Sequence, residues 1–431
     1  VNNELIEASV YLSLTDGWRE STLDYSRAGS GPSYYFSEFG GREQLFGWGF
    51  QGAKTAQLVS GINESLEKGL ISYALDRFNL IGIDDVLVAE QTPQPYGLNE
   101  ALVQEGYQAE PIGEFFTLYR RSGTPRAVEA NWPAVGIGSV AQNYAYLFPQ
   151  MIVADSIYID DYALEDLKKY DLVVLAGFSW HDQAAAEALV VELSQTDTMV
   201  VVDLTKTKAN VLSQQPEFLG VWGERTILDQ KSKVITNGEK MYQLAPMHNE
   251  SELWYTFTPQ NLDFEDLTME FLGQRLVLTG YNEYENGKVW FVGLNLAYHA
   301  VMNKDAEALR LLDELLVIDE SQLSDYHEVT LYEYEASGTK IYFSYYLEEA
   351  KKLLLPFSCF DGTQVAIDGK QLQVSSLSNL IVVDAPEGIH TVEITFSPTP
   401  IYLWGKMVSG FAILLFCALN LFWRSEINDE T

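Results

Sequence analysis

The sequence predicts an α/β chain with a β appendix: a doubly wound parallel-sheet domain, a C-terminal β-sandwich and one C-terminal transmembrane helix. Three observations predict it. Short β-branched runs alternate with helical stretches between Pro133 and Val317, which is the pattern of strand-helix units in a buried parallel sheet. After Ser321 the helices give out and short alternating strands take over. The chain then closes on a long run without charge, Met407 to Trp423. With 431 residues, 47% of them hydrophobic, the chain has material for two or three cored domains and is too apolar to be disordered. Against 27 Lys+Arg stand 61 Asp+Glu, a formal net charge of -34, so the surface repels phosphate backbones and a nucleic-acid partner is excluded.

Residues 1–127 read as a mixed α/β region. The Gly- and aromatic-rich stretch Ser30 to Gly52 is too punctuated for a regular helix and predicts an ordered loop. Apolar residues at Ile62, Leu66, Leu70, Tyr73 and Ala74 give helical spacing over Ile62 to Phe78, and Asp85 to Ala89 follows as a strand. Leu98 to Gln104 and Phe115 to Arg120 form a second helix-strand pair, ending at the Gly/Pro boundary Arg121 to Pro125. In residues 128–320 the strands are Ala134 to Ile137, Met151 to Ala154, Asp171 to Ala176, Thr198 to Val202 and Lys288 to Gly293. Helices are expected up to Phe148, around Tyr162 to Lys169, after a cap at Asp182, and from Asp305 to Val317. The less periodic block 204–287 reads as an insertion, β in part.

Residues 321–399 offer the sandwich strands: Val329 to Tyr334, Lys340 to Ser344, Gln364 to Ile367, Leu380 to Val383 and His390 to Phe396. Asp368-Gly369 and Glu387-Gly388 supply turns. Residues 400–424 are the expected transmembrane helix, with Trp404 and Trp423 at its interfaces and Lys406 and Arg424 snorkelling, and 425–431 a tail. One basic residue on each side leaves the positive-inside count tied. The chain starts Val1-Asn-Asn-Glu-Leu, with no initiator Met and no signal-peptide pattern, which predicts a piece of a larger membrane protein whose earlier helices precede it. A tail-anchored protein is the topological alternative.

Chemistry-bearing motifs are sparse. Gly136-Ile-Gly138-Ser139 follows a strand and opens a helix, but Ala141 stands where G-x-G-x-x-G has its third glycine, so a tight turn is the preferred reading over a nucleotide site. Cys359 and Cys417 form no disulfide framework. His181, His248, His299, His327 and His390 are dispersed without metal-ligand spacing, and the acidic clusters Asp160-Asp161 and Asp263 to Asp266 lack the spacing of a calcium loop. No metal, cofactor or catalytic residue is expected. Tyr34, Tyr35, Phe46 and Trp48 are the candidate substrate-binding residues, because exposed aromatic rings can stack on sugars; ordinary packing is the competing reading.

The order of elements in 128–320 resembles a class I glutamine-amidotransferase-like domain, with one departure. Where that family's nucleophile elbow should offer G-x-C-x-G, the chain has Val202-Asp203-Leu204-Thr205-Lys206, without thiol or glycine, so the resemblance implies a degenerate domain. His299 follows a strand as that family's catalytic histidine does, but has no nucleophile to serve and reads as structural. Leu355-Pro-Phe-Ser-Cys-Phe360, Val365-Ala-Ile-Asp-Gly-Lys370 and Asp384-Ala-Pro-Glu-Gly-Ile-His390, then Pro400, Gly405 and the apolar helix, resemble the end of YfhO-type and pyruvoyl-tetrahydropterin-synthase-related bacterial integral membrane proteins. Phe78 to Val88 and Phe116 to Tyr119 resemble them more loosely.

Such proteins are similar to multi-spanning glycosyltransferases that use lipid-linked sugars. The resemblance therefore implies an extracytoplasmic domain held at the cell membrane, with envelope glycan, lipid-linked sugar or an envelope protein as partner and with catalysis outside this stretch of chain. The competing expectation is a non-catalytic, membrane-tethered scaffold for a protein partner.

Overall fold

The structure is a computed structural model that describes residues 2–23, 31–45, 56–89, 93–238, 240–249, 251–317, 326–397 and 404–416. Its N-terminal part is built from α1 (Asn2–Ser13), β1 (Arg19–Leu23), α2 (Gly31–Glu38), β2 (Glu43–Gln44), α3 (Gln57–Glu67), α4 (Ile71–Ile81), β3 (Ile83–Ala89), α5 (Leu98–Gln104), β4 (Gln108–Ile112) and β5 (Phe116–Arg120). The five strands form one sheet in the order β2-β1-β3-β5-β4, with β1 parallel and β5 antiparallel to the central β3. Because side chains alternate along a strand, β3 feeds two cores. Leu87 and Ala89 meet Leu5, Leu12 and Phe36 of α1 and α2, while Val86 and Val88 join the core that contains Ile62 and Phe78 of α3 and α4.

Two expectations are corrected here. The helical stretch Ile62 to Phe78 is two helices: the chain turns at Gly69, whose φ of +73° lies in the left-handed region that a continuous helix excludes. The aromatic stretch after Ser30 holds the short helix α2 rather than only loop, and its apolar face closes over Leu5 of α1.

Next in the chain come β6 (Arg126–Glu129), β7 (Ala134–Ile137), α6 (Ala141–Leu147), β8 (Met151–Val153), α7 (Leu164–Leu167), β9 (Leu172–Ala176), α8 (Gln183–Ser194) and β10 (Met199–Asp203). The block that follows supplies β11 (Glu217–Phe218), β12 (Val221–Leu228), β13 (Lys233–Asn237), β14 (Lys240–Leu244), β15 (Trp254–Gln260), β16 (Phe264–Glu265), β17 (Thr268–Phe271) and β18 (Gln274–Val277). β19 (Thr279–Tyr284), β20 (Gly287–Val292), α9 (Leu296–Asn303) and α10 (Ala306–Leu316) complete this part. β8-β7-β9-β10-β20 run parallel in one seven-stranded sheet, which β19 and β16 extend antiparallel. β9 is buried at every position, which is why Leu172 to Ala176 reads as an unbroken apolar run. Asp182 caps α8 by accepting the N–H groups of Ala184 at 2.9 Å and Ala185 at 3.3 Å.

The last strands are β21 (Glu328–Thr330), β22 (Tyr332–Ser337), β23 (Lys340–Leu347), β24 (Lys351–Ser358), β25 (Thr363–Ile367), β26 (Lys370–Leu372), β27 (Ser375–Leu377), β28 (Leu380–Ala385) and β29 (Gly388–Phe396). They form two five-stranded sheets, β21-β6-β24-β28-β27 and β22-β23-β29-β25-β26. Leu353, Leu355, Ile381 and Val383 of the first pack against Phe343, Tyr345, Val365 and Ile394 of the second. β6 belongs to this two-sheet unit: Val128 pairs with Glu328 on one side and Leu354 on the other. The chain from Ala130 to Tyr326 is therefore carried between two adjacent strands.

Charge buried between β3 and its neighbours locks the N-terminal sheet to the two-sheet unit. Asp85, fully buried, accepts from Arg42 at 2.8 Å and lies 3.3 Å from Arg120. Asp84 accepts the Trp18 N–H at 2.9 Å and faces Arg126 of β6 at 3.5 Å. Arg19 donates to the carbonyls of Ile81 at 2.8 Å and Pro356 at 2.7 Å and pairs with Glu43. Residues 404–416 form a helix exposed at every position. Among the described residues no helix is long and apolar enough to cross a membrane, and the rest of the 400–424 stretch lies outside them apart from 404–416.

Candidate functional site

In an open parallel sheet, side chains converge outside the carboxyl ends of the strands, most of all where the strand order reverses. The reversal here lies between β7 and β9, and it is closed. The N–H groups of Ser139 and Val140 donate to the carbonyls of Gly177 and Ala176 at 3.0 and 3.1 Å. Gly138, at φ +121°, sits so close that a Cβ would stand 2.3 Å from the Ala176 carbonyl oxygen. With those donors spent, Gly136-Ile-Gly138-Ser139 is a tight strand-to-helix turn and not a phosphate cradle.

The open site is one strand further on. A cavity of about 190 Å³ lies beyond the ends of β10 and β20, walled by Tyr144 of α6, Asp203 and Lys206 after β10, Glu252 before β15, and Asn295 and Tyr298 after β20. β15 is held over the end of β20 by the Phe257 N–H and the Thr256 hydroxyl, which donate to the Gly293 carbonyl at 2.7 and 3.0 Å. That contact places Glu252 and Tyr255 on the cavity wall, so the block 204–287 completes the site.

Asp203 ends the apolar run of β10 and is 3% exposed. One carboxylate oxygen accepts the Thr205 N–H at 2.8 Å and the Thr205 hydroxyl at 2.6 Å; the other accepts the Tyr144 hydroxyl at 2.8 Å. Burial raises its pKa, and the three hydrogen bonds offset only part of that. Tyr144 is pushed well above the ordinary phenol value by the same burial and by the Asp203 charge. Tyr298, raised to about 12 first by burial, donates to Glu252 at 2.5 Å, and His248 lies 3.3 Å from the other Glu252 oxygen. The Asn295 Oδ1 is buried without a hydrogen-bond partner.

His299 is fully buried, stacked on Trp254 at 4.5 Å, with Nε2 3.1 Å from Asp305. Asp305 uses its other oxygen to cap α10 and accepts the Ala245 N–H at 2.7 Å. His299 thus fastens α9, α10 and β15 together.

The candidate aromatic residues fall elsewhere. Tyr34, 59% exposed, and Tyr35 sit on α2 with ring centroids 5.5 Å apart, both against Phe39. Neither lines the cavity. Phe46 and Trp48 lie outside the described residues. Asp160, in one acidic cluster, accepts the N–H groups of His181 and Asp182 and serves as a loop brace. Glu265, in the other, pairs with Arg275. The cavity set was missed because its members are scattered over 155 positions from Tyr144 to Tyr298. The available signals were the acid closing the run Met199 to Asp203 and the polar Asn295 after the strand ending at Val292.

Two family descriptions match parts of the chain: a domain of unknown function, DUF8560, over residues 134–299, and another, DUF8559, over residues 13–114. The first runs from β7 into α9 and contains the whole cavity wall. No curated protein matches the chain in sequence. Among solved structures, a catalytic mutant of Gan42B, a GH42 β-galactosidase from G. stearothermophilus, is 13% identical, with 62% of this chain and 41% of that one covered at a TM-score of 0.27. The β-galactosidase from Bacillus circulans sp. alkalophilus is 11% identical over 61% and 41%, TM-score 0.29. The exo-β-1,4-mannosidase Op5Man5 from Opitutaceae bacterium strain TAV5 is 8% identical over 44% and 37%, TM-score 0.29. The chain spans about two fifths of the length of these structures.

Proposed function

We propose that this chain is the extracytoplasmic part of a polytopic bacterial membrane protein and that it binds or positions an envelope glycan or lipid-linked sugar for chemistry performed elsewhere in the protein. The observation that carries the membrane tether is the helix 404–416. Trp404, Met407, Val408, Phe411, Leu414 and Phe416 are each 57–70% exposed. At about 100° per residue five of these share one face, but Phe416 and Ile413, the latter 64% exposed, fall on the flank and the opposite side, so the apolar surface extends beyond the single stripe of a helix on a soluble protein. In the sequence the run continues without charge to Trp423. A lipid phase is the solvent that suits such a surface.

A binding role is supported by the cavity, which gathers carboxylate, amide and phenol groups at one place. The parallel strand order β8-β7-β9-β10-β20 supports a degenerate amidotransferase-like domain, with Leu204 at the place of the lost nucleophile and Asp203 beside it.

Flotation of the full chain with phospholipid vesicles, with and without a polyprenyl-linked sugar, tests the reading. Flotation lost in Phe411→Asp/Leu414→Asp, together with saturable retention of the sugar lipid, is the expected result. A chain that stays in the aqueous fraction refutes the tether. Flotation without sugar retention refutes the glycan role and favours a tethered scaffold.

A further inference from the structure

We propose that the cavity beyond β10 and β20 binds a small ligand that carries a primary ammonium group beside hydroxyls, of the amino-alcohol or amino-sugar class. At about 190 Å³ it holds roughly six waters' share of liquid volume, room for one ring or a short chain. The Asn295 Oδ1 is buried and unpartnered, a state that favours the arrival of a donor. The Asp203 oxygen bonded to Tyr144 retains one lone pair, and Glu252 adds a second carboxylate.

Charge chooses between a neutral and a cationic donor. The Asp203 carboxylate is bonded by the Tyr144 and Thr205 groups, and the lining lysine, Lys206, is exposed and acts on it only through its charge. Asp203 is hydrogen-bonded only by neutral donors and feels the Lys206 charge from a distance, so a cation brought into direct contact adds an ion pair that the buried carboxylate lacks. Two carboxylates against one exposed lysine, on a chain of net charge -34, disfavour an anionic ligand. The remaining lining includes Val140, Leu253 and Ala297 and the rings of Tyr255 and Tyr298, apolar contact for a carbon skeleton; the Tyr255 ring already carries the Arg225 guanidinium at 5.1 Å.

The site does not depend on the membrane reading: a chain that fails to float on vesicles can still bind the amine, and the reverse. Isothermal titration calorimetry of the full chain with D-glucosamine and ethanolamine, beside their neutral counterparts D-glucose and ethylene glycol, tests it. The amines are expected to bind at least roughly tenfold more tightly than the neutral partners. Asp203→Asn should erase that preference, and Asn295→Ala should weaken the amines while circular dichroism and thermal melting stay those of the parent chain. Asn295→Ala is the decisive variant if Asp203→Asn fails to fold. Equal binding of neutral and amine ligands, binding of none of the four, or amine affinity unchanged in Asn295→Ala overturns the proposal.

Discussion

Arg19→Ala is expected to be among the most damaging single substitutions outside the apolar cores. The Arg19 guanidinium is 7% exposed and spans two parts of the fold. Its Nη1 donates to the carbonyl of Ile81, at the end of α4, and to that of Pro356 in β24; its Nε pairs with Glu43 at 2.8 Å. The group also lies 4.0 Å from the Trp18 ring and 4.9 Å from Phe357. Truncation leaves two carbonyls without their charged donor, at about 1–3 kcal/mol each. Glu43, whose side chain is 29% exposed, rehydrates in part and adds little. The loss of the stacked cation adds about 1 kcal/mol, for a total of about 3–7 kcal/mol. Urea unfolding followed by tryptophan fluorescence reads this out, with Trp18 as a local reporter. Arg275→Ala, which breaks the exposed pair with Glu265, is the control and should cost less than about 1 kcal/mol. An Arg19→Ala loss no larger than that of the control would refute the account of this residue as the clamp between α4 and β24.

Gly138→Ala forces a Cβ to within 2.3 Å of a main-chain oxygen at φ +121° and is expected to cost more than about 3 kcal/mol, measured as a lowered thermal midpoint. His390 is held above its usual pKa of 6.5 by the Asp368 carboxylate and by the Glu387 carbonyl. The stabilisation from this contact is complete below 6.5 and is lost as pH rises through the raised value; NMR titration should show the shift reduced in Asp368→Asn. Asp203 is an acid whose folded pKa is raised, chiefly by burial, so the sign is that of a group preferring to stay protonated in the native state. Relative to Asp203→Asn, the parent chain should lose stability as pH climbs from the ordinary carboxylate range through that raised value, as followed by chemical denaturation across pH.

The local signals that survived in the structure are those with one dominant physical cause. Buried strands such as Leu172 to Ala176 and capped helices such as the one begun by Asp182 are legible because continuous burial and the N-cap hydrogen bond act on neighbouring residues. The turns Asp368-Gly369 and Glu387-Gly388 were equally plain, and His390 then joins them by bonding to Asp368 and to the Glu387 carbonyl. What was not legible depends on distant partners. β6 has only four residues and gains its place from β21 and β24, some 200 positions away. In the sequence β21 and β22 read as one strand, Val329 to Tyr334, because alternation cannot show that the chain leaves one sheet for the other at Leu331. The cavity illustrates the same limit: each wall residue is ordinary where it stands, and only the sheet brings Tyr144, Asp203 and Asn295 to one place.

The way the α/β part is hung leads to the last prediction. β6 and β21 are antiparallel neighbours, and the Glu129 N–H donates to the His327 carbonyl at 3.1 Å, so the points where the chain departs and returns already touch. Replacing residues 131–326 by a short Gly-Ser linker therefore closes a loop that the native register has already closed, at little entropic cost. The cost arises elsewhere. α4 packs onto the excised part through Tyr73, which meets Tyr146 at 5.0 Å, and Arg77, which donates to the Pro149 and Met151 carbonyls at 2.9 Å, and α3 through Glu64, which accepts the Tyr146 hydroxyl at 2.7 Å. Excision uncovers that face, but Arg77 then gains water rather than remaining a buried charge, so no unpaired ion is left inside. The shortened chain is expected to keep the β-sheet circular dichroism of the remaining strands while binding a hydrophobic dye at the α3–α4 face. Adding the excised part in trans should suppress the dye signal. A shortened chain with the spectrum of an unfolded polypeptide would mean that the two-sheet unit draws its stability from the α/β part rather than carrying it.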